Sequence, residues 1–414
     1  MGGSSGRGAA ATLVWALALL IGATGAPGEG AGVRAASAGP PAAYWTPARM
    51  RAAEPPQLTA PPPSPGMGRA EHQSPPTFVA PSPPGGGGSA LRRGTGGASA
   101  SAFGPGSERS FPNRLHGRVF GTYSALGDFS CSGTAVNSLG RSLVITAGHC
   151  VFDPQTGEFA TNWIFVPGYR DGRAPFGRWR ARSLRASAPW VRAENISFDV
   201  GAATVRRNRN GRALQDVIGG RGIGFGQARD RLYTSYGYPA ELPFDGERLE
   251  ACRSPYRGDD PDTDPPRTMR ITCDMTGGSS GGGWVSDGMV LSLNSYCTGL
   301  VLVCLDNTSM YGPYFGDGAK DLYLRSRGSL PPRCAGRRVT HLGGRGVQRL
   351  TGTKSADSIR LGPGGDSARG GRGSDRLCGG PGRDRLRGGP GFDICIGGPG
   401  RDVALACERR RGVP

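Results

Sequence analysis

Short apolar runs separated by turn residues occupy the middle of the chain from Phe111 onward. Examples are RVFGTYSAL, SLVITAGHCVF, NWIFVPGY, FDVGAATV and GWVSDGMVLSLNSY. Their length, spacing and content of β-branched residues predict strands. We therefore predict an all-β domain over residues 111–328, which is long enough to bury a substantial core.

A strict nine-residue period replaces this pattern towards the C-terminus. Paired glycines and one aspartate recur in copies such as GGRGSDRLC, GGPGRDRLR and GGPGFDICI. The aspartates are Asp357, Asp366, Asp375, Asp384, Asp393 and Asp402. A fixed period of this kind predicts a repeat structure, which we place at residues 343–407 after a linker at 329–342.

The first 110 residues lack both patterns. Residues 1–26 contain the apolar run AAATLVWALALLI followed by small residues, and this run is shorter than the ~20 residues of a bilayer span. They predict a cleaved signal peptide, and hence a secreted protein without a transmembrane span in its mature form. An uncleaved anchor is the alternative. Residues 27–110 are dominated by Pro, Gly, Ala and Ser and are predicted to be a disordered linker or pro-segment.

Composition narrows the class of protein. Ten cysteines, six before residue 310 and four after it, fit an exported protein that closes disulfides in each half. The net charge is +18, but the basic residues are nearly all arginine and are spread along the chain. Without a basic helix or interleaved aromatic residues they do not indicate a specific nucleic-acid site. Weak attraction to anionic surfaces remains open.

The stretch TGGSSGGGW at residues 276–284 is either a flexible spacer or a loop around one reactive serine. A serine nucleophile needs a base, a group that orients the base, and donors for the oxyanion. Of the four histidines, His72 lies in the Pro-rich segment, His341 precedes the repeats and His116 is expected at the surface. His149, at the end of the apolar run LVITAG, is therefore the candidate base.

Three segments together resemble the chymotrypsin-fold serine proteases. They are CSGTAV at 131–136, ITAGHCVF at 145–152 and CDMTGGSSGGGW at 273–284. GGSSGGGW, together with SYGYPAELPFDG at 235–246, resembles their secreted bacterial branch. The resemblance covers about residues 114–327 and implies two β-barrels. It also implies a disulfide between Cys131 and Cys150, with His149 as the base and Ser280 as the nucleophile.

The orienting acid should lie between the histidine and the serine, as it does in that family. Asp199, within ISFDVGAATV, stands in a strand-like setting and resembles the corresponding segment of the family. The other acids in this interval lie in a polar loop; they are Asp259, Asp260, Asp262 and Asp264. Backbone N–H groups of Gly278 and Ser280 would form the oxyanion hole.

The same resemblance implies protein or peptide substrates and no cofactor for catalysis. The branch includes glutamyl endopeptidases, but LSLNSY at 291–296 lacks the histidine of glutamate-specific members. Asp274 stands six residues before Ser280, where trypsin-like members carry the acid that binds arginine or lysine, so it is the specificity candidate. The alternatives are a catalytically inactive, protease-like binding module and a surface-anchored structural protein built around the repeats.

The nonapeptides resemble the RTX calcium-binding repeats, in which two copies form one turn of a parallel β-roll. The resemblance implies calcium held by the six repeat aspartates and by glycine carbonyls. Gln348 replaces the aspartate of the first copy and Ser355 replaces a glycine of the second. The order of the weaker copies favours calcium between Asp375 and Asp402, and a disordered Gly/Arg tail is the alternative.

Overall fold

The computed structural model describes residues 33–35, 44–56, 74–82, 84, 99–297, 308–329, 332–343 and 346–413. The predicted signal peptide at 1–26 and Cys304 lie outside the described residues. Within the described part of the chain, no helix has the length and apolar character needed to cross a bilayer.

The described chain is mostly β, as its alternating pattern predicts. The N-terminal region contributes strand β1 (Val33–Ala35), helix α1 (Pro47–Ala52), β2 (Thr77–Val79) and β3 (Ser99–Phe103). The next elements are β4 (His116–Tyr123), β5 (Gly127–Val136), β6 (Leu143–Thr146), β7 (Phe152–Asp153), β8 (Glu158–Phe159), β9 (Thr161–Pro167), β10 (Trp179–Ala186), α2 (Ala188–Ala193), β11 (Gly201–Val205) and α3 (Leu214–Ile218).

A second group of elements completes the middle of the chain. It consists of β12 (Gly222–Phe225), β13 (Leu232–Gly237), β14 (Glu250–Asp259), β15 (Met269–Thr272), β16 (Gly283–Ser286), β17 (Met289–Leu293), β18 (Tyr296–Cys297), β19 (Ser309–Gly312) and helix α4 (Asp317–Ser326).

The two groups form two sheets that share a core. The first follows the order β10-β11-β6-β5-β4-β9 and closes into a barrel because β9 also pairs with β10. The second follows the order β18-β19-β15-β14-β13-β16-β17-β12. Apolar side chains of both sheets, including Val144, Ile145 and Val290, belong to one buried cluster. The turn after β6 of the first sheet and the loop between β15 and β16 of the second sheet meet at the interface of the two sheets, and they carry the candidate site.

The N-terminal region is more ordered than its composition predicts. Trp45 and Met50 are fully buried against Phe120 and Ile164 of the first barrel. Strand β2 adds to β12, and β3 adds to β14. The expectation of a disordered segment over residues 27–110 is therefore wrong for its described parts. A few large apolar residues and the backbone bonds of strand addition supply stability that average composition does not reveal.

The tail is a parallel β-solenoid from residue 341 to residue 411. Its strands are β22 (His341–Leu342), β23 (Arg349–Thr351), β24 (Ser358–Arg360), β25 (Ser367–Arg369), β26 (Arg376–Cys378), β27 (Arg385–Arg387), β28 (Ile394–Ile396), β29 (Val403–Leu405) and β30 (Arg409–Arg411). Alternate strands stack into two sheets, β22-β24-β26-β28-β30 and β23-β25-β27-β29. The central residues of strands β23 to β29, such as Leu377 and Leu386, form a buried stack between the sheets.

The predicted linker at 329–342 contains structure of its own. Strands β20 (Arg333–Cys334) and β21 (Arg337–Arg338) form a hairpin, which a Cys334–Cys378 disulfide ties to the solenoid. A second disulfide, Cys395–Cys407, closes the C-terminal turns. The repeat structure therefore begins before residue 343 and ends after residue 407.

Candidate active site

A single turn holds His149 at the end of β6. The turn, Gly148–Cys150, is a short 3-10 helix, and a disulfide joins Cys150 to Cys131 on β5 with an S–S distance of 2.05 Å. A Cβ on Gly148 would lie 2.8 Å from Asp199 Oδ1 and from the Trp190 ring. Only glycine therefore lets the turn pack this closely against Asp199.

Asp199 is the acid that reaches the histidine. Its carboxylate is fully buried and lies 2.9 Å from His149 Nδ1. It also accepts hydrogen bonds from the His149 backbone N–H at 2.8 Å and from the Ser295 hydroxyl at 2.5 Å. A hydrogen bond from the ring to an ionised carboxylate places the ring proton on Nδ1 and leaves Nε2 as the acceptor in a neutral imidazole.

The loop of residues 276–284 carries the candidate nucleophile Ser280, and we call it the nucleophile loop. Two glycines in the left-handed region shape it. Gly278 has φ +87° and Gly281 has φ +83°. A Cβ on Gly278 would lie 2.8 Å from the Tyr238 carbonyl, and one on Gly281 would collide with Thr146 Oγ1. Glycine is therefore required at both positions by the left-handed backbone and by the close approach of neighbouring atoms. A flexible spacer would not need glycine at particular positions.

The two adjacent serines of this loop have different surroundings. The Ser279 hydroxyl donates to the Thr276 carbonyl at 2.7 Å and is buried. Ser280 is partly exposed, and its carbonyl accepts from the Ser132 backbone N–H at 2.8 Å. The sulfur of Cys150 lies 3.7 Å from the same carbonyl, so the structure brings Ser280 beside the histidine turn.

Three polar groups at this place have no hydrogen-bond acceptor or donor among the described residues. One is Nε2 of His149, which is buried. The others are the backbone N–H groups of Gly278 and Ser280, whereas that of Gly281 donates to the Asn294 carbonyl at 2.8 Å. An unpartnered ring nitrogen and two backbone N–H donors without acceptors are the kinds of group that acyl transfer requires.

The specificity candidate Asp274 faces the N-terminal region. It is half-buried, and its Oδ1 accepts from the Ala102 backbone N–H at 2.6 Å, next to the Cys252–Cys273 disulfide. In the segment LSLNSY, Asn294 is fully buried and its side-chain oxygen accepts from Ser235 and Trp284 at 2.6 Å each. Asn294 is thus a packing residue.

A cavity of about 290 Å³ opens beside His149. Tyr123, Leu126, Trp190, Asp153 and Glu194 contribute to its walls. Burial, followed by the nearby charge of Asp153, raises the pKa of Glu194. The cavity can therefore receive a side chain that presents apolar surface to the rings and a polar end to two carboxyl groups.

Pro56 of the N-terminal region also lines this cavity. The Glu54 carbonyl, two residues earlier, accepts from the Ser130 backbone N–H of β5 at 2.9 Å. The N-terminal region thus reaches the immediate surroundings of His149.

His116 lies in the core, so the expectation of a surface position is wrong. Its ring is buried and stacks on Tyr236 at 4.0 Å between ring centroids. Burial, together with the charge of Arg221, lowers its pKa well below the usual value. It bonds Thr134 and Arg221, so it is a neutral core residue. Its position at the start of β4 gave no sign of this.

Sequence reasoning missed Ser132 and Ser295 altogether. The Ser132 hydroxyl donates to the Gly278 carbonyl at 2.8 Å and accepts from the Tyr238 backbone N–H at 2.8 Å, which ties the nucleophile loop to β5. Both residues sit in ordinary strand-like stretches. Their roles depend on contacts between distant parts of the chain.

Five of the six repeat aspartates share one arrangement. In each, Oδ1 accepts a backbone N–H from the residue 18 positions earlier; Asp375, for example, accepts from Asp357 at 2.7 Å and Asp384 from Asp366 at 2.9 Å. In each, Oδ2 is buried without a hydrogen-bond partner among the described residues; these are Asp366, Asp375, Asp384, Asp393 and Asp402. Unpartnered carboxylate oxygens beside glycine backbone fit the oxygen shell that calcium prefers.

Asp357, the sixth, differs. Its Oδ2 accepts from the Thr353 backbone N–H at 2.6 Å and from the Thr353 hydroxyl at 2.9 Å. Its Oδ1 lies 3.5 Å from His341 Nδ1. Threonine stands here where the better copies carry the second glycine, and its hydroxyl satisfies the carboxylate.

Comparisons with known proteins agree with both parts of the structure. A family model described as RTX calcium-binding nonapeptide repeat (4 copies) matches residues 342–377 and 369–404. Among solved structures, the protease Anisep from Arthrobacter nicotinovorans is 38% identical, over 52% of this chain and 95% of its own, with a TM-score of 0.47. AL20, a thermostable serine protease from an extremophilic microorganism, is 36% identical, over 52% of this chain and 97% of its own, with a TM-score of 0.48.

A Glu endopeptidase is 15% identical over 56% of this chain and 98% of its own, with a TM-score of 0.44. No curated protein sequence matches the chain. The identity to the first two proteases extends over nearly their whole length. The chain therefore belongs to the bacterial chymotrypsin-fold serine proteases and carries a C-terminal RTX calcium-binding tail.

Proposed function

We propose that this chain is a secreted serine endopeptidase that works through Ser280, His149 and Asp199. The observation that carries the proposal is the His149–Asp199 pair at 2.9 Å, with Nε2 unpartnered beside the nucleophile loop. Hydrogen bonds between serine and histidine in unliganded sites are often long and tighten when substrate binds. The resting geometry is thus compatible with an active enzyme.

The roles follow from the chemistry of each group. His149 Nε2 accepts the Ser280 hydroxyl proton as the oxygen attacks the peptide carbonyl carbon, and it then gives that proton to the leaving amine. Asp199 keeps the ring in the required tautomer and stabilises the imidazolium. The N–H groups of Gly278 and Ser280 bind the oxyanion. Water then hydrolyses the acyl-enzyme by the same proton transfers.

The substrates we propose are proteins or peptides. Asp274 remains the candidate for binding a basic side chain next to the scissile bond, provided that the Ala102 contact releases it. The calcium tail has no step in this chemistry. Its disulfides and its calcium repeats fit an extracellular setting, where both are stable.

Covalent labelling with a fluorophosphonate tests the proposal. The wild type should be labelled at Ser280, and Ser280→Ala should not. Ser279→Ala is the matched control, because it removes the neighbouring hydroxyl and should keep the adduct. A folded wild-type protein that takes no label would instead support the alternative of an inactive, protease-like binding module.

A further inference from the structure

One outer face of the solenoid is covered by another part of the chain, and the other is exposed. The face of β24 and β26 is covered by the β20–β21 hairpin and held by the Cys334–Cys378 disulfide. Arginines on this side bond inside the molecule: Arg360 donates to the Arg333 carbonyl at 3.3 Å, and Arg376 donates to the Ala335 carbonyl. These two arginines on this side therefore hold the hairpin and the solenoid together.

The opposite sheet, β23-β25-β27-β29, has an uncovered outer face. In each strand the central residue is buried and the third is exposed. Four exposed arginines stand on this face, at positions 349, 369, 385 and 387. None of them has a salt bridge or a side-chain hydrogen bond to a described residue, and the face carries no acidic residue. We call these four residues the arginine face.

The register of the strands brings the four positive charges of the arginine face close together, and their repulsion destabilises the sheet. Arg369 and Arg387 are direct partners on neighbouring strands, where like charges destabilise a sheet. Arg385 and Arg387 lie on the same side of one strand, and Arg349 stands two rungs from Arg385. With rungs about 4.8 Å apart, four cations fall within roughly 10 Å along the solenoid axis. A bound polyanion would remove this repulsion.

We propose that the arginine face binds an extended polymer of phosphate groups, and that the tail thereby attaches the protein to such a polymer. Guanidinium groups bind phosphate oxygens through two parallel N–H donors. Successive rungs offer these groups along one line, which suits a linear chain. Exposed aromatic rings, on which nucleic-acid bases would stack, are absent from the face. This inference does not depend on the proposed peptidase activity.

Binding to immobilised long-chain polyphosphate tests the proposal. The protein is the full chain with calcium and with Ser280→Ala to prevent self-cleavage. The test variant combines Arg349→Ser, Arg369→Ser, Arg385→Ser and Arg387→Ser. The control variant removes the same charge elsewhere on the tail, through Arg372→Ser, Arg383→Ser, Arg401→Ser and Arg411→Ser. A calcium-dependent melting transition shared with the parent shows that each variant is folded.

The arginine-face variant should lose at least tenfold in affinity, and the control less than about threefold. With three to four phosphates neutralised, the parent should lose about fiftyfold between 50 and 200 mM salt. Equal losses in the two variants would attribute binding to net charge and overturn the proposal, as would no binding by the parent. Tighter binding to phosphatidylglycerol vesicles or to single-stranded DNA than to polyphosphate would overturn the assigned partner.

A smaller change provides a second readout. Arg369→Ser with Arg387→Ser removes the opposed pair, so it should raise the melting temperature without polyphosphate and abolish the further rise that polyphosphate causes in the parent. A double variant that melts like the parent and is still stabilised by polyphosphate would contradict the proposal.

Discussion

Replacing Asp375 by asparagine should change the stability of the tail in opposite directions with and without calcium. The Asp375 side chain is fully buried. Its Oδ1 accepts the Asp357 backbone N–H at 2.7 Å, whereas Oδ2 has no partner among the described residues. Asparagine keeps the shape and the first acceptor but removes the charge. The metal-free variant should therefore be more stable than the metal-free wild type.

The size of this effect follows from the buried charge, because the amide NH2 that replaces Oδ2 stays without a partner as well. Burying an unpaired group costs about 1–3 kcal/mol when it is neutral and more when it is charged, so removing the charge should recover at least about 1 kcal/mol. For a unit of 60–100 residues, each kcal/mol shifts the melting temperature by about 4–8 °C. A metal-free Asp375→Asn protein should then melt at least about 4 °C above the wild type at pH 7. With calcium the sign reverses, because a site occupied at 100 times its dissociation constant contributes about 2.7 kcal/mol, and the amide weakens that site.

The stability of the metal-free tail should also depend on pH, through the same buried carboxylate. Burial, opposed by the bond from Asp357 and reinforced by the charges of Asp393 and Asp357, raises the pKa of Asp375 from 3.8 to about 6. Between these values the folded state holds a proton that the unfolded state has lost, so the metal-free fold loses stability as pH rises from about 4 through 6. The Asp375→Asn protein should lack this contribution to the decline.

Differential scanning calorimetry of the full chain, with calcium and with chelator, measures both effects. Asp357→Asn is the matched control: its Oδ2 already accepts from Thr353, so this change should destabilise the protein in chelator as well. If Asp375→Asn lowered the melting temperature equally in both conditions, the unpaired oxygen would not be a calcium ligand. If calcium raised the melting temperature of the variant as much as that of the wild type, the same conclusion would hold.

Three further predictions concern the protease part. Asp199→Asn should reduce kcat on a peptide ester about 10⁴-fold, because the histidine loses the tautomer with its proton on Nδ1. Asp264→Asn is the control and should keep activity; equal activity of the two variants would exclude Asp199 as the orienting acid. Glu194→Gln should lower kcat/KM for peptides that place a basic side chain in the cavity beside His149 and leave neutral ones unchanged, as scored on a peptide library; parallel losses for both classes would refute a role of its charge. Trp45→Ala should lower the free energy of unfolding by about 3–5 kcal/mol because its ring is fully buried, whereas Phe78→Ala, at a ring that is 66% exposed, should change it little in the same denaturant titration.

The sequence predicts the parts of the molecule that depend on local patterns. Alternating apolar runs indicate the strands, and a nine-residue period indicates the solenoid with its buried central residues. His149 and Ser280 are recognisable because each lies in a distinctive short motif. Long-range contacts escape this reasoning: Trp45 finds its place against β4 and β9 through packing, and His116 is buried by Tyr236 and Arg221. Neither contact leaves a local signal.

Buried polar atoms without a hydrogen-bond partner among the described residues occur both in the protease part and in the solenoid. Folded proteins pair nearly all such groups, so each exception calls for a physical explanation. Here the exceptions include His149 Nε2 beside the nucleophile loop and five carboxylate oxygens along the solenoid. In the proposed mechanism the Ser280 hydroxyl gives its proton to the first, and calcium would bind the others. In both places glycines with positive φ, such as Gly278 and Gly382, let the backbone pass where a Cβ would lie 2.8 Å or less from a neighbouring backbone oxygen. The sequence shows these glycines, but only the folded chain shows which buried polar atoms stand without a partner.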